Sequence, residues 1–253
     1  MATNMFRSLF VCLCIFANFY FSSATCNLPP QFWCENAEIA RKCSVYEQCK
    51  KQAWRVDEEA APVNFALYYE SLCPDCKDYI TTMVFPSFQK IGSIMNLTLV
   101  PYGNAQEKQV GHNWVFECQH GENECLGNII ETCAIALVRK IEVYFPFINC
   151  MEGSKLSPMS AAKQCAQQFP VPLDSILNCS RSTVGNNLEH QMALQTDALQ
   201  PPHEYVPWVT LNGVHTDAIQ KAAEADLVKL ICDTYQGTKP AACNEKQLRH
   251  RKF

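Results

Sequence analysis

The sequence predicts an α/β fold in which a small sheet and its helices are interrupted by a helical, disulfide-pinned insertion and preceded by a short cysteine-rich segment. Three observations carry this. An alternating apolar run, Val63 to Tyr69, leads straight into two cysteines spaced C-x-x-C, Cys73 and Cys76. A cysteine-bearing stretch from Cys118 to Cys179 has helical apolar spacing, and a β-rich run, Tyr205 to Val214, precedes a last helical stretch.

The first residues read as a secretory signal. Arg7 supplies a weak basic region, Leu9 to Phe21 an apolar stretch too short for a membrane span, and Ser22-Ser23-Ala24 a small-residue cleavage site, so residues 1–24 are set aside from the fold. No later segment approaches the roughly 20 apolar residues a bilayer crossing needs, so no membrane insertion is expected. The 16 cysteines less Cys12 and Cys14 of the signal leave 14, an even number that favours a disulfide framework in an oxidising compartment. With 21 basic against 25 acidic residues, a formal charge of −4 gives no reason to expect a nucleic-acid partner.

Residues 25–60 have their own composition: Cys26, Cys34, Cys43 and Cys49, and an amphipathic run of Trp33, Ala37, Ala40 and Val45 on one helical face, closing on a charged linker, Lys50 to Pro62. The pattern FWCENAEIARKCSVYEQC resembles a saposin A-type domain, a unit of secreted precursors often removed in processing.

From Val63 the pattern changes. Val63, Phe65, Leu67 and Tyr69 alternate with residues that are not strongly polar, as in a buried central strand. Pro74 suits the first turn of a following helix, whose apolar face continues through Ile80, Val84 and Phe88, with a kink or an early stop expected at Pro86. A second strand follows from Asn96 to Tyr102. Leu126, Ile130, Cys133, Leu137, Ile141 and Tyr144 then predict one strong amphipathic helix. Asn212-Gly213 predicts a hairpin turn, and Asp217 to about Tyr235 a last helix stopped near Gly237. Strand, cysteine-led helix, strand, helical block, strand-hairpin and helix fit a thioredoxin-like domain over residues 61–236, followed by a tail at 237–253.

In that order Cys73 ends a strand and opens a helix, where free backbone N–H groups and the helix dipole favour a thiolate, and Cys76 lies one turn on. This is the setting in which a first cysteine attacks a disulfide and a second resolves the intermediate. A staple across two residues would close too small a loop to contribute much, and zinc would want a second cluster that Cys118, His120, Cys125 and Cys133 do not supply at the right spacing. At pH ~5 only about one ordinary thiol in 3,000 is ionised; lowering its pKa by roughly 3.5 units costs about 4.8 kcal/mol and speeds attack about a hundredfold, because nucleophilicity falls as pKa falls. Asp75 opposes that shift by its charge if it is close. Val206-Pro207 stands where a cis-proline loop would face the cysteines and pair with an extended substrate peptide, although a trans-proline at a strand edge reads equally well.

The residues also resemble a known family. The C-x-x-C at Cys73/Cys76, the block CQHGENECLGNIIETC from Cys118 to Cys133, LVPYGNAQE and TDALQPPHEYVPWVTLNG are similar to the gamma-interferon-inducible lysosomal thiol reductase (GILT) family over nearly the whole mature chain. The resemblance implies a glycosylated precursor, delivered to the lysosome or endosome lumen or secreted, that reduces protein disulfides at acidic pH and so aids unfolding, proteolysis and antigen processing. It carries the nucleophile onto Cys73 and the resolving thiol onto Cys76. Trimming of the N-terminal unit and of the tail is implied too. Pro74-Asp75 stand where vertebrate members favour small residues, which bears on redox potential and pH optimum.

The expected partners are disulfide-containing protein substrates, a small-thiol or protein reductant, a sorting receptor reading glycans at the sequons Asn96 and Asn178, and a second copy of the chain joined by a disulfide. No bound cofactor or metal is expected to be needed. His120 reads as a structural residue. The eight remaining cysteines allow about 105 connectivities, among which Cys232–Cys243, flanking a Gly/Pro turn, is plausible. Two other readings stay open: an oxidase or isomerase using the same pair in the opposite direction, and a disulfide-rich binding protein with an inert C-x-x-C.

Overall fold

The computed structural model describes residues 26, 28–52 and 60–244. The signal segment, residues 53–59 of the linker and the tail beyond Asn244 lie outside them. Two compact units are present, one within residues 26–52 and the other within 60–244.

The first unit holds two short helices, α1 (Ala37–Lys42) and α2 (Tyr46–Gln52). The Asn36 side chain caps α1 by accepting the Glu38 and Ile39 N–H groups. The single amphipathic helix expected from Trp33 to Val45 is not formed: Ser44 takes a left-handed conformation (φ 57°) and breaks it. The break turns Cys43 and Cys49 inward to bond Cys26 and Cys34. The linker starts later than Lys50, because α2 runs on to Gln52.

In the second unit β1 (Val63–Tyr69) is central, parallel to β2 (Met95–Pro101) and antiparallel to β5 (Trp208–Leu211). Val63, Phe65, Leu67 and Tyr69 all point into the core, as their alternation predicts. Between β1 and β2 runs a continuous helical segment: α3 (Pro74–Tyr79), a π-helical turn (Ile80–Val84) and α4 (Phe85–Ile91). Pro86 has no N–H to give. The chain absorbs it with the wider turn and a fresh first turn at Phe85 instead of a stop.

After β2 comes a hairpin that its polar residues concealed, β3 (Gln106–Val110) and β4 (Asn113–Glu117). Then follow α5 (Glu122–Val138), α6 (Ile141–Glu152), α7 (Pro158–Cys165), α8 (Leu173–Ser180) and α9 (Thr183–Asp197). The single helix expected through Leu126 and Tyr144 is two helices: Arg139 adopts φ 60° at the α5 C-cap, and Leu137 is exposed. Cys118–Cys125, Cys133–Cys179 and Cys150–Cys165 pin the block. The second spans 46 residues, a loop whose closure is worth roughly 4 kcal/mol in the chain-entropy picture.

Asn212 and Gly213 make the expected turn, with φ 51° and 79°. Among the described residues a single bridge, Leu211–Val214, follows it in place of a returning strand. Helix α10 (Asp217–Thr234) is kinked at Asp226, and Cys232 bonds Cys243, the pair its flanking turn suggested. A parallel β1–helix–β2 unit, a helical insertion, then an antiparallel strand and a closing helix make the domain thioredoxin-like, with a disulfide-pinned insertion. No described helix is long and apolar enough to cross a membrane.

Candidate active site

Tyr69 is the last paired residue of β1, and the Tyr102 N–H fixes its carbonyl at 2.9 Å. The chain then leaves the sheet as Glu70-Ser71-Leu72 and enters α3 at Cys73, its N-cap. Cys73 Sγ accepts the Cys76 N–H at 3.5 Å, and Pro74 occupies a first-turn position where no N–H is missed. Cys73 and Cys76 are the free cysteines of the described residues. Pro74 and Asp75 between them are exposed.

The two thiols are unlike. Cys73 is drawn down to about 6, first because the Cys76 thiol donates to it; burial opposes this, the N–H groups of Cys76 and Asp75 assist, and the Asp75 charge opposes. Cys76, fully buried, is pushed far above the ordinary thiol range by burial first and then by its role as donor to Cys73. A pKa of about 6 leaves roughly one thiol in eleven ionised at pH ~5, and after the loss in nucleophilicity the attack rate is about twentyfold that of an ordinary thiol.

The loop ahead of Cys73 is gripped by α5. Asn128 Oδ1 accepts the Ser71 N–H at 2.9 Å, and the Ser71 hydroxyl donates to the Glu124 carbonyl at 3.1 Å. Gly127 allows this approach, since a Cβ there would lie 2.3 Å from Ser71 Oγ. Glu124 Oε1 accepts the His120 N–H at 2.9 Å, and its Oε2 lies 2.6 Å from His120 Nδ1. Glu70 Oε2 is 3.4 Å from the same nitrogen. Among the described residues Glu70, His120 and Glu124 form the one group of such side chains that could surround an ion. A separation of 2.6 Å is a hydrogen bond, closer than two ligands on tetrahedral zinc would stand (about 3.4 Å for bonds of ~2.1 Å).

Behind the cysteines, Tyr69 Oη donates to Glu131 Oε2 at 2.5 Å. Glu131 and Glu152 are buried together, and burial drives both carboxyls upward. A cavity of about 10 Å³ lined by Ser71, Lys77, Glu131 and Glu152 has room for one water molecule. None of these carboxyls was singled out from the sequence. The signal was there: Glu124, Asn128 and Glu131 recur at i, i+4 and i+7, a polar stripe that is wholly buried in α5.

Val206 and Pro207 are both buried, joined by a cis peptide bond, and precede β5. Trp208 pairs antiparallel with Tyr68, so Pro207 and Val206 run past the end of β1 toward the Cys73 loop. Gln220 Nε2 donates to the Pro207 carbonyl at 3.0 Å. The sequon asparagines lie elsewhere, both exposed: Asn96 on β2, donating to Asn64 Oδ1 at 2.7 Å, and Asn178 on α8.

Residues 64–169 match the family model of gamma interferon inducible lysosomal thiol reductase (GILT), and residues 23–55 that of the saposin A-type domain. A gamma-interferon-inducible lysosomal thiol reductase of Carassius auratus is 46% identical over 240 residues, covering 94% of this chain and 90% of that one. The chain belongs to the GILT family. A second GILT protein, from Mus musculus, is 42% identical over 193 residues, with 72% of each chain covered. A gamma-interferon-responsive lysosomal thiol protein of Arabidopsis thaliana is 36% identical, covering 74% of this chain and 77% of that one. The matched GILT segment contains Cys73, Cys76 and every α5 residue that grips their loop.

Proposed function

We propose that this GILT chain is a thiol-disulfide oxidoreductase working as a reductase of protein disulfides, with Cys73 as nucleophile and Cys76 as resolving thiol. The observation that carries the assignment is the asymmetry of the pair: one sulfur capped by N–H groups at a helix start and held low, the other buried and held high.

The Cys73 thiolate attacks one sulfur of the substrate disulfide, forming a mixed disulfide and releasing the other sulfur as a thiolate that takes up a proton. Cys76 then gives up its proton and attacks Cys73 Sγ. The second substrate sulfur leaves, also to be protonated, and the enzyme holds a Cys73–Cys76 disulfide. Two electrons and two protons have passed to the substrate. A small thiol or a protein dithiol returns them to the enzyme.

Several features belong to the same reading. Val206 and Pro207 offer backbone to an extended substrate segment beside Cys73. The working place is an acidic lysosomal or endosomal lumen, reached as a glycoprotein through Asn96 and Asn178 and a glycan-reading receptor, and the benefit is easier unfolding and proteolysis of ingested proteins, antigens included. Trimming would remove the signal (1–24) and the saposin A-type segment (25–60) from the working domain, residues 61–236, while a cut in the tail (237–253) would leave the piece bearing Cys243 tethered through its bond to Cys232. Twelve cysteines of the described residues are already paired with one another. A disulfide-linked pair of chains would therefore draw on the active thiols or reopen one of these bonds.

The test is steady-state reduction of a denatured, disulfide-bonded protein at pH ~5 by the wild type, Cys73→Ser and Cys76→Ser. Loss of turnover in both variants is expected; full turnover by Cys73→Ser would overturn the assignment.

A further inference from the structure

Glu70 stands three residues before the nucleophile, next to Ser71, the residue that α5 grips. Its side chain is fully buried, and Oε1 accepts the Asn104 N–H at 2.7 Å. The turn that supplies this N–H is built around it: Gly103 has φ +62°, and a Cβ there would lie 2.4 Å from Glu70 Cγ. Oε2, by contrast, has no hydrogen-bond partner among the described residues. The nearest candidate, His120 Nδ1 at 3.4 Å, stands 2.6 Å from Glu124 Oε2, and one Nδ1 proton serves one acceptor.

An ionised Glu70 would thus present an unsatisfied oxygen, out of water, toward a second buried carboxylate. That is costly. A proton on Oε2 makes it a donor, with a Glu124 oxygen in the same cluster, all of whose ligand atoms lie within 4.8 Å of one another. Consistent with this, the Glu70 carboxyl is raised to about 7, chiefly by burial, with the charges of Glu124 and Cys73 adding and the Asn104 N–H and His120 opposing. Those are the groups that face it: Cys73 from its own loop, Asn104 from the turn after β2, and His120 and Glu124 from the start of α5. Cys73 is faced in turn by Cys76 and Asp75 of α3 and by Glu152 of α6.

We propose that Glu70 is a positioning residue that decides where negative charge resides at the site: protonated, it leaves Cys73 the charge, and ionised, it makes the Cys73 thiolate form beside a buried group of the same sign. This rests on Cys73 being the nucleophile. It gives the Glu70–His120–Glu124 cluster a task, which is to keep a proton on Glu70 in acid while holding the loop in place. The thiol and the carboxyl then titrate as a coupled pair.

The test is the rate of iodoacetamide alkylation at Cys73 against pH, on the reduced full chain and on Glu70→Gln. The wild-type curve is expected to be broader than a one-proton titration. In Glu70→Gln it should narrow to one proton, with a midpoint lower by about half a unit, which is roughly threefold more thiolate well below the midpoint. Superimposable curves would overturn the role of Glu70. Should Glu70→Gln not fold, the wild-type curve decides alone, because a single one-proton curve contradicts coupling. A Cys73 no more reactive than an ordinary thiol at pH ~5 would instead sink the nucleophile assignment, so the two failures are told apart.

Discussion

Asn128 Oδ1 accepts the backbone N–H of Ser71 at 2.9 Å, tying the middle of α5 to the residue two places before the nucleophile. Both groups are buried, so removing the acceptor leaves an N–H that water cannot reach. Asn128→Ala is expected to cost about 1–3 kcal/mol, seen as a lower denaturant midpoint with an unchanged slope. No change in midpoint would mean that the loop is held by other contacts.

The buried carboxyls set a pH dependence of stability. Glu70 is raised to about 7, and Glu131, Glu152 and Glu189 are driven upward by burial. Such groups bind protons more readily folded than unfolded, so their contribution is full below the unfolded carboxyl pKa (~4.3) and is lost as pH rises, for Glu70 through about 7. Cys73 has the opposite sign: its contribution is present above the ordinary thiol pKa (~8.5) and is lost as pH falls through about 6. Calorimetry on the Cys73→Ser/Cys76→Ser double variant removes the opposing contribution of Cys73. Its Tm should be higher at pH ~5 than at pH ~7.5, by about 2–4 °C for each kcal/mol; an equal or lower Tm in acid would refute the reading.

Asp75 faces solvent between the cysteines, and its charge works against the thiolate while its N–H supports it. Asp75→Asn keeps the N–H and removes the charge. Alkylation of Cys73 at pH ~5 should quicken, by up to about threefold since the site is exposed and screened. A slower Cys73 in Asp75→Asn would show that the side chain helps the thiolate.

Gly185 sits at the start of α9 against α8, where a Cβ would lie 2.2 Å from the Cys179 carbonyl oxygen and 3.1 Å from Cys133 Sγ. The obstructing atom is backbone next to a disulfide, so it does not move aside cheaply. Gly185→Ala is expected to lose about 2–3 kcal/mol, at the upper end of the usual overpacking range. Thermal unfolding checks this, and an unchanged Tm would mean that α9 can shift freely on α8.

Much of this architecture was legible in the chain. The alternation from Val63 to Tyr69 marks a strand because one face, Val63, Phe65, Leu67 and Tyr69, is buried while Asn64 on the other is exposed and Ala66 and Tyr68 are half-buried, and Cys73-Pro74 marks a helix start because proline is suited there. The hairpin of β3 and β4 was hidden because Gln106 to Val110 is largely exposed and carries no apolar face; it is held at its far side by Trp114 stacked on His190 at 3.8 Å and by Asn186. Periodicity ran unbroken across Arg139, since apolar spacing records which face is buried and not where a left-handed residue restarts the helix. The place of Glu70 was hidden for a related reason. A glutamate at a strand end reads as solvated, and only the fold brings Glu124 and His120 to it.

The most direct test of the central claim is mass spectrometry of Cys76→Ser after mixing with a disulfide-bonded substrate at pH ~5. Without a resolving thiol, substrate should accumulate as a mixed disulfide on Cys73 alone. Accumulation on any other cysteine, or no adduct while the wild type still reduces the substrate, would contradict the assignment of Cys73 as the attacking thiol.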